Sequence, residues 1–339
     1  MKTSISYTLL AAAMACGLAQ GQTTAYTTPV GYITASIAPN TAASPAGAAT
    51  YISASLDQPT SFQGAAAASP SGAATVTFAS GVPTGLNGAY VLEISNGAQE
   101  GWWSPVISST ATSVTVADIF PASLAANVSV SVKKFTTIKS LFGANTANLA
   151  IFDGVGQADE IQLLNTTTGV VSSIVYLPAV VSGDPTDKWL DFVLGVSADD
   201  YIVPPGVAVR VIRYGATGTS LVSSGTVKTT KTQVDVFPTE NWLGNSLATG
   251  GTIGSMGFFN TMVKYDGEAA NDFLNVLAPN QTTSQYIALD PTVGTGMLDF
   301  VLGTDAAAVP IPQGTGYVLL RNPAKAASIL TIPAQTIGN

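Results

Sequence analysis

Histidine is absent from this 339-residue chain, and cysteine occurs once, at Cys16. The first absence excludes every mechanism built on imidazole, from Ser-His-Asp triads and Cys-His dyads to His-ligated metals. The second excludes an internal disulfide. Charge is scarce too: Lys, Arg, Asp and Glu make up 9% of the residues, against about 25% in an average soluble domain. The formal net charge of −8 has the wrong sign for a nucleic-acid binder. No apolar run reaches the ~18 residues of a transmembrane helix. Aromatics are only 8%, and the chain ends Thr336-Ile337-Gly338-Asn339 without an aromatic strand, which argues against an outer-membrane barrel.

What is present at the N-terminus reads as a processing signal. Lys2 supplies a positive n-region, Leu9 to Ala15 a short apolar core, and Ala19-Gln20-Gly21 a small-x-small cleavage site. Residues 1–21 are therefore expected to be a signal peptide, leaving 339 − 21 = 318 residues without cysteine and with a net charge of −9 once Lys2 is gone. A lipoprotein reading would use Cys16, but Ala13-Met14-Ala15 lacks the upstream Leu that such sites favour. A thiol-free exported chain suits an oxidising compartment, extracellular or periplasmic.

The remainder alternates at period two, as in Ser113-Val114-Thr115-Val116, Val128-Ser129-Val130-Ser131-Val132 and Val227 to Val236. Such segments form half-buried antiparallel strands. Turn formers punctuate them, among them Leu86-Asn87-Gly88, Ser95-Asn96-Gly97 and Pro204-Pro205-Gly206. The expected fold class is all-β, with two or three sandwich- or barrel-like modules. No Lys or Arg occurs between Lys2 and Lys133, and residues 35–75 are dense in Ala, Ser, Thr, Gly and Pro. This sets apart an N-terminal domain over 22–145.

An internal repeat divides the rest. Leu190-Asp191-Phe192-Val193-Leu194-Gly195 recurs as Leu298-Asp299-Phe300-Val301-Leu302-Gly303, and at the same offset Pro204, Gly206 and Arg213 fall on Pro312, Gly314 and Arg321. Upstream, Asp153-Gly154, Asp159 and Pro178 match Asp266-Gly267, Asp272 and Pro291. A duplicated β unit is expected over 146–237 and 238–339. The Leu-x-Phe-x-Leu spacing predicts a strand with three large apolar residues on one face. Cross-strand pairs Asp191–Arg213 and Asp299–Arg321 are expected beside it.

Several motifs together resemble a family of secreted, β-rich bacterial proteins with no assigned activity. They are Pro29-Val30-Gly31-Tyr32, Phe62-Gln63-Gly64, Glu100-Gly101-Trp102-Trp103-Ser104-Pro105-Val106, Thr137 to Gly143, Ala158-Asp159-Glu160-Ile161 and Asn241-Trp242-Leu243-Gly244-Asn245. The resemblance spans nearly the whole mature chain and implies export and β structure. It carries over no catalytic residues. The family pattern's Trp near Ile138 is missing here.

Candidate chemistry is thin, and no enzyme activity is expected. Asp153, Asp159, Asp266 and Asp272 recur between the copies and are the candidate Ca²⁺ ligands, although the spacing is not that of an EF-hand. Trp102 and Trp103 are adjacent, so a strand sends them to opposite faces; one is a candidate sugar-stacking platform. Surfaces rich in Ala, Ser, Thr and Gly lose little side-chain entropy on packing and repel weakly. The function expected is therefore that of an exported cell-surface or extracellular structural protein acting by self-association. The alternative is an adhesin or polysaccharide-binding protein using exposed aromatics and loop carboxylates. Intact-mass measurement of the exported product is expected to give the mass of residues 22–339; a product retaining residues 1–21 would overturn the processing signal.

Overall fold

The computed structural model describes residues 29–42, 44–143, 149–165, 167–183, 186–268 and 271–335. The expected signal peptide, its cleavage site and Cys16 lie outside the described residues. The protein is all-β, as its alternating segments predict. Among the described residues its helices are single turns, the longest being Ile138–Phe142. Among the described residues, no helix is long and apolar enough to cross a membrane.

One module is built from a single curled sheet. Strands Thr60–Ala65, Ser129–Lys134, Tyr90–Ile94, Trp103–Thr110, Ser113–Val116 and Thr75–Thr77 lie side by side in that order. A bridge between Ala66 and Phe78 links the two outermost strands, so the sheet curls towards a closed barrel. Its core is the buried half of the alternating segments: Val114, Val116, Val130 and Val132 point in with Leu92, Ile94 and Phe120. The intervening Ser and Thr residues point out.

The other two modules correspond to each other. In the first, a sheet runs Val196–Ser197, Lys188–Asp191, Val170–Leu177, Glu160–Asn165, Ala208–Arg213, Ala48–Ser53, and Val30–Ile37 pairs with Thr219–Val227. In the second, a sheet runs Met297–Asp299, Thr283–Ala288, Phe273–Leu277, Gly316–Arg321, Thr239–Gly244, and Thr232–Val236 pairs with Ser328–Ile332. Both modules also carry a capped turn of helix in which Thr and Ser three residues apart cap each other: Thr137 with Ser140, and Thr252 with Ser255.

This pairing differs from the domain boundary expected at residue 145. Strands Val30–Ile37 and Ala48–Ser53 complete the sheets of the first half, opposite Thr219–Val227 and Ala208–Arg213. The barrel, Thr60 to Lys134, is therefore inserted into that half. The low-charge composition that marks 22–145 runs across the junction between the two and gives no sign of it.

The halves meet edge to edge. The Ser53 N–H donates to the Gly314 carbonyl at 2.9 Å, and the corresponding Gly244 N–H donates to the Gly206 carbonyl at 2.8 Å. Tyr51 and Trp242 occupy matching positions on the two inner strands, and their rings meet edge to face at 5.5 Å. A side chain at Gly244 would sit 2.4 Å from the Ser53 hydroxyl. Close approach of the two backbones therefore requires glycine there.

The inserted barrel is held by buried charge. Glu93 is gripped by the ammonium groups of Lys133 and Lys228, and Thr230 donates to it at 3.0 Å. Lys133 also reaches Asp57 at 2.5 Å. Burial lowers the Lys228 pKa to about 8. Burial alone would raise Asp57, but Lys133 and Lys228 outweigh it and hold that carboxyl below its ordinary value of 3.8. The folded chain thus binds the Asp57 proton less readily than the unfolded chain. The resulting stability is present above the ordinary value and is lost as pH falls through the lower folded value. Below pH 4, the fall in melting temperature on acidification is expected to be shallower in Asp57→Asn than in the parent protein. Parallel acid limbs would remove this carboxylate from the account of docking.

Candidate functional site

The repeated hexapeptide is not the apolar strand that its alternation predicts. The strands end at Asp191 and Asp299, and the following residues form hairpin turns. Asp191 Oδ1 accepts from the N–H groups of Val193 and Leu194, both at 3.0 Å. Asp299 Oδ1 accepts from Val301 and Leu302 at 3.0 and 2.9 Å. Gly195 and Gly303 close the turns at φ 69° and 68°, a region that favours glycine. The apolar tips consequently face solvent. Phe192, Val193 and Leu194 are 58, 73 and 66% exposed, and Phe300, Val301 and Leu302 are 48, 72 and 72% exposed. Each Phe leans on one aromatic neighbour, Phe152 at 5.9 Å or Phe273 at 5.3 Å.

The expected Asp191–Arg213 pair gives way to another. Arg213 Nη1 donates to Asp159 Oδ2 at 2.7 Å in a buried ion pair, while Asp191 accepts from the Tyr201 hydroxyl at 3.1 Å. Tyr201 has its pKa raised by burial and by that carboxylate. Asp299 uses its carboxylate in its own turn, and Arg321 reaches the Ser328 hydroxyl. The turn geometry draws Asp191 and Asp299 away from the arginines by giving their oxygens main-chain donors.

The four candidate Ca²⁺ ligands fall into two kinds. Asp159 and Asp272 are buried staples. Asp159 accepts from the N–H groups of Ala150 and Tyr214 at 2.8 and 2.9 Å, and Asp272 from those of Val263 and Asn322, both at 2.8 Å. Asp153 and Asp266 are exposed and shape turns. Asp153 accepts from Val155 and Gly156 at 2.9 and 2.6 Å, and these bonds hold its carboxyl below the ordinary value. Asp266 accepts from Glu268 at 2.9 Å. Among the described residues, no three acidic or thiol side chains converge as a metal site requires.

The adjacent tryptophans do diverge. Trp102 turns into the barrel and packs on Phe120 at 4.9 Å. Trp103 turns outward, packs on Phe135 at 6.1 Å, and donates through Nε1 to the Gln233 carbonyl at 2.9 Å. Both rings are half-buried and engaged in packing.

Sequence reasoning misses a groove of about 920 Å³ where the halves meet. Its walls are residues 34–39 in and just after strand Val30–Ile37, residues 49–51 of Ala48–Ser53, residues 218–220, loop 276–279 and turn 312–315. No charged side chain lines it. The Gln281 carboxamide spans the halves beside it, bonding the N–H and carbonyl of Ala49 at 2.8 and 3.0 Å as a neighbouring strand would. No short motif marks this groove, because five distant segments build it.

Fold and site together define an all-β protein of two corresponding halves, with a barrel inserted in the first and an apolar hairpin tip on each. No family model, curated protein or solved structure matches the chain.

Removing the two staples should have unequal costs. Asp159→Ala breaks the buried ion pair to Arg213 Nη1 and removes the acceptor of two main-chain N–H groups, and is expected to lower the unfolding free energy by about 3–5 kcal/mol. Asp272→Ala removes only the acceptor of two main-chain N–H groups and is expected to cost less, about 1.5–3 kcal/mol, the worth of a hydrogen bond to a charged group. Urea denaturation of both variants checks this, and equal losses would show that the ion pair adds nothing.

Proposed function

We propose that this is an exported structural protein that assembles at the cell surface or outside the cell by contacts between copies. The observation that carries this reading is the pair of Phe-Val-Leu hairpin tips, exposed in both halves and held by identical aspartate turns. An unfavourably exposed apolar loop can arise once by drift. Two at matching positions, each stiffened by its own carboxylate and glycine, are better explained by a contact they serve. The low surface charge works in the same direction, since neutral faces repel each other weakly. The resemblance to secreted β-rich proteins and the N-terminal processing signal support export. The matching of the halves supports their origin by duplication, and both copies keep the hexapeptide unchanged while the matched strands Ala48–Ser53 and Thr239–Gly244 share no residue at any matched position.

The test is to remove the tips without touching the turns. The variant Val193→Ser, Leu194→Ser, Val301→Ser, Leu302→Ser keeps Asp191, Asp299 and both glycines. Light scattering after size exclusion is expected to give a multimer for the parent chain and a monomer for the variant. Thermal stability should hardly change, because exposed substitutions are typically worth within about 0.5 kcal/mol. A parent chain that stays monomeric at high concentration would overturn the reading.

A further inference from the structure

We propose that the neutral groove beside Val30–Ile37 receives the Phe-Val-Leu hairpin of a second copy of this chain. The inference rests on the self-association reading and names the surface that the tips would engage.

The first ground is what covers the corresponding place in the other half. Gly314 packs on Ala35 and Ile33 just as Gly206 packs on Val234 and Thr232. Val234 therefore matches Ala35, and Gln233 matches Thr34. The Gln233 N–H donates to the Gly101 carbonyl at 3.1 Å, and its carbonyl accepts from Trp103 Nε1. Its side chain donates to the Glu100 carbonyl at 3.1 Å. The edge of Thr232–Val236 is thus covered by a glycine-containing turn with aromatic side chains, supplied by the inserted barrel. Beside Val30–Ile37, which ends its sheet, the matching position Thr34 lines the open groove. Open strand edges are natural docking places for another stretch of backbone.

The second ground is chemical likeness. The hairpin tips are glycine-closed turns carrying one aromatic and two aliphatic side chains, and neither tip nor groove bears a charge. A charged or strongly polar segment would lose its hydration there without compensation.

The third ground is placement. In the six-stranded sheet of the first half, the hairpin lies at one edge, between Lys188–Asp191 and Val196–Ser197. Strand Ala48–Ser53, which lines the groove, lies at the other edge. A hairpin therefore cannot fill the groove of its own half. Contact between a tip and a groove on different copies is heterologous, and such contacts propagate into rings or filaments.

The single cysteine makes a direct test simple. In a Cys16→Ser background, full-length chains carrying Ser36→Cys in the groove are mixed with chains carrying Val193→Cys or Val301→Cys at a tip, then mildly oxidised. Disulfides need Cα atoms within about 7 Å, so they report contact. The expected result is a cross-linked heterodimer in several-fold higher yield than with Ala68→Cys, an exposed barrel position, in place of Ser36→Cys. A yield no higher than this control would overturn the proposal. A groove-filling variant, Ala278→Trp, gives a second readout: with its melting transition intact, it should lose assembly as the tip variant does. If the tip variant loses assembly while Ala278→Trp retains it, the groove assignment falls and the self-association reading stands. A parent chain that never assembles would remove both.

Discussion

Two main-chain hydrogen bonds at the centre, from Ser53 to Gly314 and from Gly244 to Gly206, set the layout of the whole molecule. Each closes the inner edge of one sheet on a glycine turn of the other half, with Gly206 and Gly314 at φ 74° and 70°. A sheet edge left open is a hazard for uncontrolled pairing. Here the inner edges are consumed in joining the halves, and the outer edges end in two-residue or three-residue strands, Val196–Ser197 and Met297–Asp299. What stays available is the edge of the smaller sheet in each half. The inserted barrel covers one of these and leaves the other beside the groove.

Part of the scarce charge lies inside. Of 12 Lys and Arg residues, Lys133, Lys228, Arg213 and Arg321 are buried, and so are Glu93, Asp159, Asp191, Asp272 and Asp299. These groups act as staples: the barrel is pinned by Glu93 and its lysines, and the chain of the first half is pinned by Asp159. Buried ion pairs are poor sources of net stability but costly to break, so they favour one arrangement over near alternatives. Most of the other charged residues are exposed or half-buried, and at 9% of the chain they leave the surface sparsely charged. Between those charges the outer face carries hydroxyls, alanines and the two apolar tips.

The sequence conveys the strands well because one-sided burial imposes period two, and Val114, Val116, Val130 and Val132 follow it residue by residue. It conveys the hexapeptide identity but misleads about its conformation. Leu-x-Phe-x-Leu has the spacing of a buried strand face, yet Asp191 and Gly195 four residues apart frame a turn. A short carboxylate that can accept two main-chain N–H groups outweighs the apolar alternation. The first half's N-terminal strands leave no such trace. Tyr51 and Trp242 match in space, but Ala48–Ser53 and Thr239–Gly244 share no residue at any matched position. Edge-to-edge pairing asks only for backbone and a fitting size, so it leaves little for a sequence comparison to find. The groove is hidden for the same reason, because main-chain edges and small residues from five segments form it.

The insertion is the feature that makes two similar halves unlike. Without the barrel, both smaller sheets would present the same open edge and the molecule would be close to two-fold symmetric. Symmetric surfaces favour closed pairs, in which like patches meet and growth stops. With the barrel docked through Gly101 and Trp103, one edge is sealed and the other remains open. The copy then has tips of one kind at its outer edges and the edge of Val30–Ile37 beside the groove near its centre. A contact between unlike surfaces closes into a ring or runs on into a filament instead of stopping at a pair, so under the proposed assembly a small β module inserted into one half decides which of these outcomes is open.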